Sequence, residues 1–330
     1  SVPPSFFYWR IDLHPLRIQS QSTTNSQNQT PDWPAMTPIT FGLWPLAGVT
    51  TVGVTPDDAD ATMTAIIDGG ITAFDTAFSY GYDGESDRLL GRFIAGNRDR
   101  YSVTGKVGQR WSADHKRVVD GSAATLCADA ETSLKRIGIE RFDVLMLHSP
   151  DPNIEIEKSA ETMSDLMRRG LAKRVGVCNV DAEQLRRFSG AVECSAVQCP
   201  LNLLQRDSLD DFIPAAASLG CEVHVYWALM KGLLAGKIGR DHQFAEGDSR
   251  PGYEVFQGAA RQHAHDVIDQ MKLIAESTGK TIAQLSIGWA ASQPGVTSAL
   301  VGARRPEQVQ EIAGATRLNG DTLAMLNALS

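Results

Sequence analysis

Cysteine is scarce and unpatterned. Cys127, Cys178, Cys194, Cys199 and Cys221 are scattered through 330 residues, with no C-x-x-C pair. An odd count without that spacing argues against a disulfide framework and against a zinc site. Reduced thiols in a cytoplasmic protein without a metal centre are therefore expected. Long apolar runs are missing too, so no membrane span is expected. Residues 1–35 have neither an apolar core nor a small-residue cleavage site, and do not read as a secretory signal. No single sign of charge is concentrated anywhere. The 31 Lys and Arg and the 39 Asp and Glu are mixed along the chain, for a net charge of −8. That argues against a nucleic-acid surface or a polybasic membrane patch. No G-x-G triplet occurs among 29 glycines, which removes the usual dinucleotide fingerprint. Residues 232–237 read G-x-x-x-G-K, one residue short of a phosphate loop and with no Ser or Thr following.

What is present divides into two unequal parts. Residues 1–35 open on Phe6-Phe7-Tyr8-Trp9 and run into a Gln, Ser, Thr and Asn tract at 19–30, a composition unable to bury enough surface to fold alone. A dispensable extension is expected, with an aromatic cap on the barrel or on a partner as the alternative. From Met36 to Ser330, short apolar runs alternate with amphipathic helices. Strands are expected at 39–43, 73–75, 102–105, 143–147, 174–177, 195–198, 222–226 and 298–301. Thr55 is a helix cap with Pro56 at the first helical position and Asp58 near the positive end. Ala59, Met63, Ile66 and Ile67 then form one apolar face. Leu126, Ala130, Leu134 and Ile137 form another, and Ala160, Met163 and Met167 a third. Asp181 and Asp207 read as caps of the fifth and sixth helices. Gly70, Gly170 and Gly220 sit where helices should stop. Eight strand-helix units suit an α/β (β/α)₈ TIM barrel, here with an N-terminal extension and a C-terminal helix. A doubly wound sheet is the runner-up.

In such a barrel the C-terminal strand ends converge on one face. Asp75, Lys106 and His148 fall at the ends of the second, third and fourth strands, and Tyr80 lies in the loop after Asp75. A tyrosine is a poor general acid at its free pKa of about 10. A neighbouring cation stabilises the phenolate, so Lys106 is expected to lower the pKa of Tyr80. Asp75 is the counter-charge that a buried Lys106 needs.

Asp, Tyr, Lys and His in this order and spacing resemble the catalytic tetrad of the aldo-keto reductases. The resemblance spans about residues 38–328 and is closest to the bacterial branch that includes general stress proteins. Gly42-Leu43-Trp44 stands where that family often has Gly-Thr and an aromatic. Asp75 through Tyr80-Gly81 matches D-x-A-x-x-Y-G, and Leu147-His148-Ser149-Pro150 matches the histidine motif. Gly176-Val177-Cys178-Asn179 matches G-x-S-N with Cys for Ser. Gln198 through Asn202 matches Q-x-x-x-N. Tyr226-Trp227-Ala228-Leu229, then Lys231-Gly232 through Lys237, matches the cofactor loop after the seventh strand. Gly302-Ala303-Arg304 with Gln308 and Glu311 matches the C-terminal cofactor motif.

The resemblance implies a reductase that uses NADP(H) and converts small carbonyl compounds to alcohols, with Tyr80 as acid. Asn179 and Gln198 would hold the nicotinamide carboxamide, Tyr226 would stack on the ring, and Trp44 and Trp111 would wall the substrate pocket with Tyr80 and His148. Leu43 for Thr removes a hydroxyl near the ribose, Trp227 replaces a small serine, and Ile312 replaces an asparagine that reads adenine. The 236–258 loop, carrying Arg240, Asp248 and Arg250, would fold over the cofactor. Two rivals stand beside this reading. One is a nicotinamide-binding redox sensor acting through a protein partner. The other is a Schiff-base aldolase with Lys106 as nucleophile.

Overall fold

The computed structural model describes residues 38–49 and 51–329, so the expectations for residues 1–35 lie outside it. In chain order the elements are β1 (Ile39–Gly42), α1 (Pro56–Asp68), β2 (Ala73–Asp75), α2 (Glu85–Ile94) and β3 (Ser102–Val107). A hairpin, β4 (Gln109–Trp111) and β5 (Arg117–Val119), follows. Then come α3 (Ala123–Ile137), β6 (Phe142–Leu147), α4 (Ile156–Arg168), β7 (Ala172–Cys178), α5 (Ala182–Ala191) and β8 (Cys194–Pro200). The chain finishes with α6 (Phe212–Ser218), β9 (Glu222–Tyr226), α7 (Gly258–Thr278), α8 (Ile282–Ala291), β10 (Ser298–Val301), α9 (Pro306–Ala313) and α10 (Gly320–Asn327). Strands β1, β2, β3, β6, β7, β8, β9 and β10 pair in parallel in that order, and β10 returns to β1 to close the barrel. The fold is a (β/α)₈ TIM barrel with the expected C-terminal helix. Among the described residues no helix is long and apolar enough to cross a membrane.

Strand composition follows from burial on both faces. β6, Phe-Asp-Val-Leu-Met-Leu, is buried at every position. Helix starts follow their caps. Thr55 and Asp58 form a capping box on α1, as do Asp181 and Gln184 on α5, so each satisfies two of the otherwise orphaned N–H groups. Gly70, Gly170 and Gly220 all adopt positive φ just past helix ends, the left-handed stop that glycine accepts without strain. Asp207 is a correction. It opens a single 3₁₀ turn, and α6 begins only after Asp211. The cause is Pro214: a proline is tolerated only in the first turn of a helix, so α6 must start within a few residues of it.

Candidate active site

Asp75 closes β2, Lys106 lies one residue before the end of β3, and His148 follows β6 directly. All three are buried, Asp75 at 0% and Lys106 at 2% exposure. Lys106 Nζ forms an ion pair with Asp75 Oδ1. The loop carrying Tyr80 is pinned by Phe78 N to Lys106 O (2.9 Å) and Tyr80 N to Ala77 O (2.9 Å). It then turns at Gly81, whose φ is +107°. A Cβ there would lie 2.8 Å from the Glu85 backbone nitrogen, and the positive φ disfavours any side chain, so the turn requires glycine. This places the Tyr80 hydroxyl 3.4 Å from Asp75 Oδ1 and Lys106 Nζ 4.8 Å from the centre of the Tyr80 ring. Trp44 meets that ring edge-on at 5.2 Å and His148 at 5.8 Å. The four residues expected to act together are therefore contiguous.

Lys106 lowers the Tyr80 pKa as expected, but other effects reverse the net shift. Burial pushes the Tyr80 phenol up to about 12. Lys106 pulls the other way, while the Asp75 charge adds to the rise. Desolvation of the phenolate outweighs the pull of the ammonium, and the Asp75 carboxylate works with it. Burial also works against a charged Lys106, yet Asp75 and Tyr80 hold its pKa above the ordinary lysine value. His148 is held well below the usual imidazole range by burial, then by the charges of Lys106 and Arg117. It is neutral, and its Nδ1 faces Ser79 Oγ at 3.5 Å.

Gln198, on β8, has a role that the sequence did not reveal. Its Nε2 donates to Asp75 Oδ2 at 2.6 Å, and its Oε1 accepts from Lys106 at 3.3 Å. It therefore braces the ion pair, leaving one N–H and one lone pair for a ligand. Asn179 is held similarly: Nδ2 donates to His148 O at 2.8 Å, and Oδ1 accepts from the Tyr226 hydroxyl at 2.8 Å. Leu43 and Ala228 are buried. Leu43 offers only backbone, its N–H bonding Asp75 O at 3.0 Å. Burial raises the Cys178 thiol to about 12, so it is a neutral wall beside Lys106.

The loop after β9 is unusual in its backbone. Trp227, Met230 and Lys231 have φ of 62°, 40° and 53°, followed by Gly232 at 91°. The three non-glycine residues cost on the order of 1–3 kcal/mol each, and such residues cluster at ligand sites. Leu229 N-caps the 3₁₀ turn within that loop. Lys231 Nζ sits 4.2 Å from the Tyr253 ring centre and 5.3 Å from that of Trp227. Lys237 reaches Glu311 on α9 at 2.6 Å, joining the two segments matched to cofactor motifs. At Gly302 a Cβ would lie 2.6 Å from Pro45 Cγ and 2.9 Å from Gly42 O, so β1 and β10 approach closely only because this residue is glycine. Ala303 is buried beside it. Arg304 is half-buried, its N–H held by Gln308 Oε1 at 2.7 Å, and it makes no ion pair among the described residues. Arg305, by contrast, is tied to Asp58 at 2.7 Å. In the long loop, Arg240 is bound to Asp266 and Asp269 of α7, and Asp248 and Arg250 pair with each other.

The β4–β5 hairpin was not foreseen. It brings Trp111 to the site, where its Nε1 donates to Ser79 O at 2.9 Å. It also brings Arg117, which no motif singled out. The available signal was two short runs with β-branched and aromatic residues flanking Ser-Ala-Asp-His-Lys.

These features have parallels in known proteins. Residues 38–330 match the Aldo/keto reductase family. The chain is 31% identical over 297 residues to "Aldo-keto reductase YhdN" of Bacillus subtilis (strain 168), covering 88% of this chain and 89% of the relative. It is 28% identical over 263 residues to the "NADH-specific methylglyoxal reductase" of Escherichia coli (strain K12), covering 76% and 80%. Among solved structures, the glycerol dehydrogenase AKR11B4 from Gluconobacter oxydans superposes with a TM-score of 0.83 at 30% identity, covering 90% of this chain and 92% of that one.

Proposed function

Because this chain belongs to the aldo/keto reductase family, we propose that it reduces aldehydes or ketones to alcohols with NADPH, Tyr80 supplying the proton. The observation that carries this reading is the contact of Asp75, Tyr80, Lys106 and His148 at one end of the barrel. A bound NADPH supplies the hydride. The residues present suit such a cofactor. Asn179 and Gln198 each keep hydrogen-bonding capacity for a carboxamide, Tyr226 offers a flat ring, and the strained 227–232 backbone follows directly. Arg304, with no carboxylate partner among the described residues, suits an anionic phosphate at the start of α9.

At neutral pH a phenol held at about 12 is protonated, so Tyr80 rests in the acid form. It releases its proton to the carbonyl oxygen as negative charge grows there. Lys106, kept charged by Asp75, steadies the resulting phenolate. His148, neutral, donates a hydrogen bond to the same oxygen and orients the carbonyl. Gln198 keeps Asp75 and Lys106 in register. In alcohol oxidation the same groups run backwards and Tyr80 must first lose its proton, so a phenol held at about 12 is expected to slow that direction below alkaline pH.

Tyr80→Phe tests the assignment, because it keeps the ring and removes only the donor. Turnover of 4-nitrobenzaldehyde with NADPH is expected to fall at least about 100-fold, and NADPH affinity to stay within about threefold of wild type. A rate loss under about tenfold would remove Tyr80 from the role of acid. A redox-sensing module acting through a partner remains the rival, and sustained aldehyde turnover by the wild-type protein decides against it.

A further inference from the structure

The hairpin places an unneutralised cation at the mouth of the site. Trp111 and Arg117 are direct cross-strand partners, so both side chains leave the same face of the hairpin. The Arg117 guanidinium stacks 4.6 Å from the Trp111 ring centre and 5.2 Å from that of Trp44. Trp44 in turn lies 5.2 Å from the ring of Tyr80. The cation and the proposed proton donor thus share one indole. Two other arginines flank this loop, and each has a carboxylate: Arg110 has Asp129, and Arg136 has Asp83. Arg117 has none among the described residues. Its one side-chain hydrogen bond goes to the neutral Gln109 Oε1, leaving most of the guanidinium fork unused. The residue remains exposed, so a ligand can reach it. Stacking on two indoles fixes the plane of the fork in advance, which reduces the entropy lost when it is engaged.

We propose that Arg117 is a specificity residue that binds a carboxylate on the substrate. The preferred substrates are then carbonyl compounds carrying an acid group a few bonds from the reacting carbon. A carboxylate matches the guanidinium fork in two parallel hydrogen bonds. A neutral substrate would leave the cation facing only the two rings. The substrate class rests on the reductase reading, whereas the anion site rests on the hairpin geometry alone.

The test compares 4-carboxybenzaldehyde with 4-nitrobenzaldehyde, which has nearly the same shape without the net charge. Wild-type KM is expected to be at least about tenfold lower for the acid. Arg117→Met keeps the packing stem and should raise that KM at least about tenfold, leaving kcat and KM for the nitro compound within about twofold. Arg117→Lys should recover part of the loss. Equal wild-type KM values, or a variant that weakens both substrates alike, would overturn the proposal, the second outcome marking Arg117 as only a brace of the hairpin. If neither aldehyde turns over, the reductase reading fails, and calorimetric titration of the full chain with benzoate and with benzamide decides the anion site. Benzoate binding at least about tenfold tighter, with the difference abolished in Arg117→Met, supports it. Equal affinities in the wild type sink it.

Discussion

Arg304 and Arg305 are neighbours in sequence with opposite surroundings. Side by side after a strand and before Pro306, they read as a joint phosphate site. The fold ties Arg305 to Asp58 of α1 and to Gly53 O and leaves Arg304 without an ion pair among the described residues. If NADPH binds as proposed, its 2′-phosphate is expected to meet Arg304 rather than Arg305. Arg304→Ala is expected to raise the KM for NADPH at least tenfold, about 1.4 kcal/mol, and to change the KM for NADH by less than about twofold. Equal loss for both cofactors in steady-state kinetics would refute a phosphate-specific contact. The tetrad was legible because each member ends a short apolar run or follows one at fixed spacing. The direction of the Tyr80 shift was not, since it depends on how deeply neighbouring elements enclose the phenol. Leu43 is a similar case: its position was readable, but not that its side chain is lost to the core.

Asp87 couples several elements. Set on α2 and fully buried, it accepts from Thr76 Oγ1, the residue after Asp75, at 2.7 Å and from Ser133 Oγ on α3 at 2.7 Å. Burial raises its pKa to about 6, against the hydrogen bonds from Thr76 and Ser133 and the charges of Arg136 and Arg88. A carboxyl whose pKa is higher folded than unfolded favours the folded state most below the unfolded value. That contribution disappears as pH climbs through the folded one. From about pH 4 to pH 6 the protein should lose on the order of 2–3 kcal/mol through this group. Asp87→Asn keeps the shape and the acceptor for Thr76 while abolishing the titration. Urea unfolding at pH 5 and pH 7.5 should show the variant gaining on wild type at the higher pH; a pH-independent difference would refute the assignment. Helices and barrel strands were legible at this scale because caps and apolar periodicity are local. The β4–β5 hairpin, with three residues per strand, carries too short a pattern to stand out from a loop.

For the molecule as a whole, the match to the family begins at residue 38, and Met36 opens the part whose sequence alternates strand and helix patterns. A chain of residues 36–330 is expected to give the same circular dichroism per residue and at least about half the turnover of the longer chain, as a dispensable extension implies. Loss of folded signal would instead make the aromatic cluster Phe6–Trp9 a structural cap. The barrel itself was legible from the count of strand-helix units, while the resemblance offered the charges of the long loop to a cofactor. Arg240 is instead bound by α7, and Asp248 and Arg250 by each other. Closure of the barrel pairs Ile39 with Ala299 and Phe41 with Val301, and this has a consequence for synthesis. At roughly 5–20 residues per second, β1 emerges from a ribosome roughly ten to fifty seconds before β10 exists to meet it. Through that interval one side of β1 is an open row of backbone donors and acceptors, the kind of edge that recruits other chains. Yield in the cell would then depend less on the stability of the finished barrel than on how well that waiting strand is shielded.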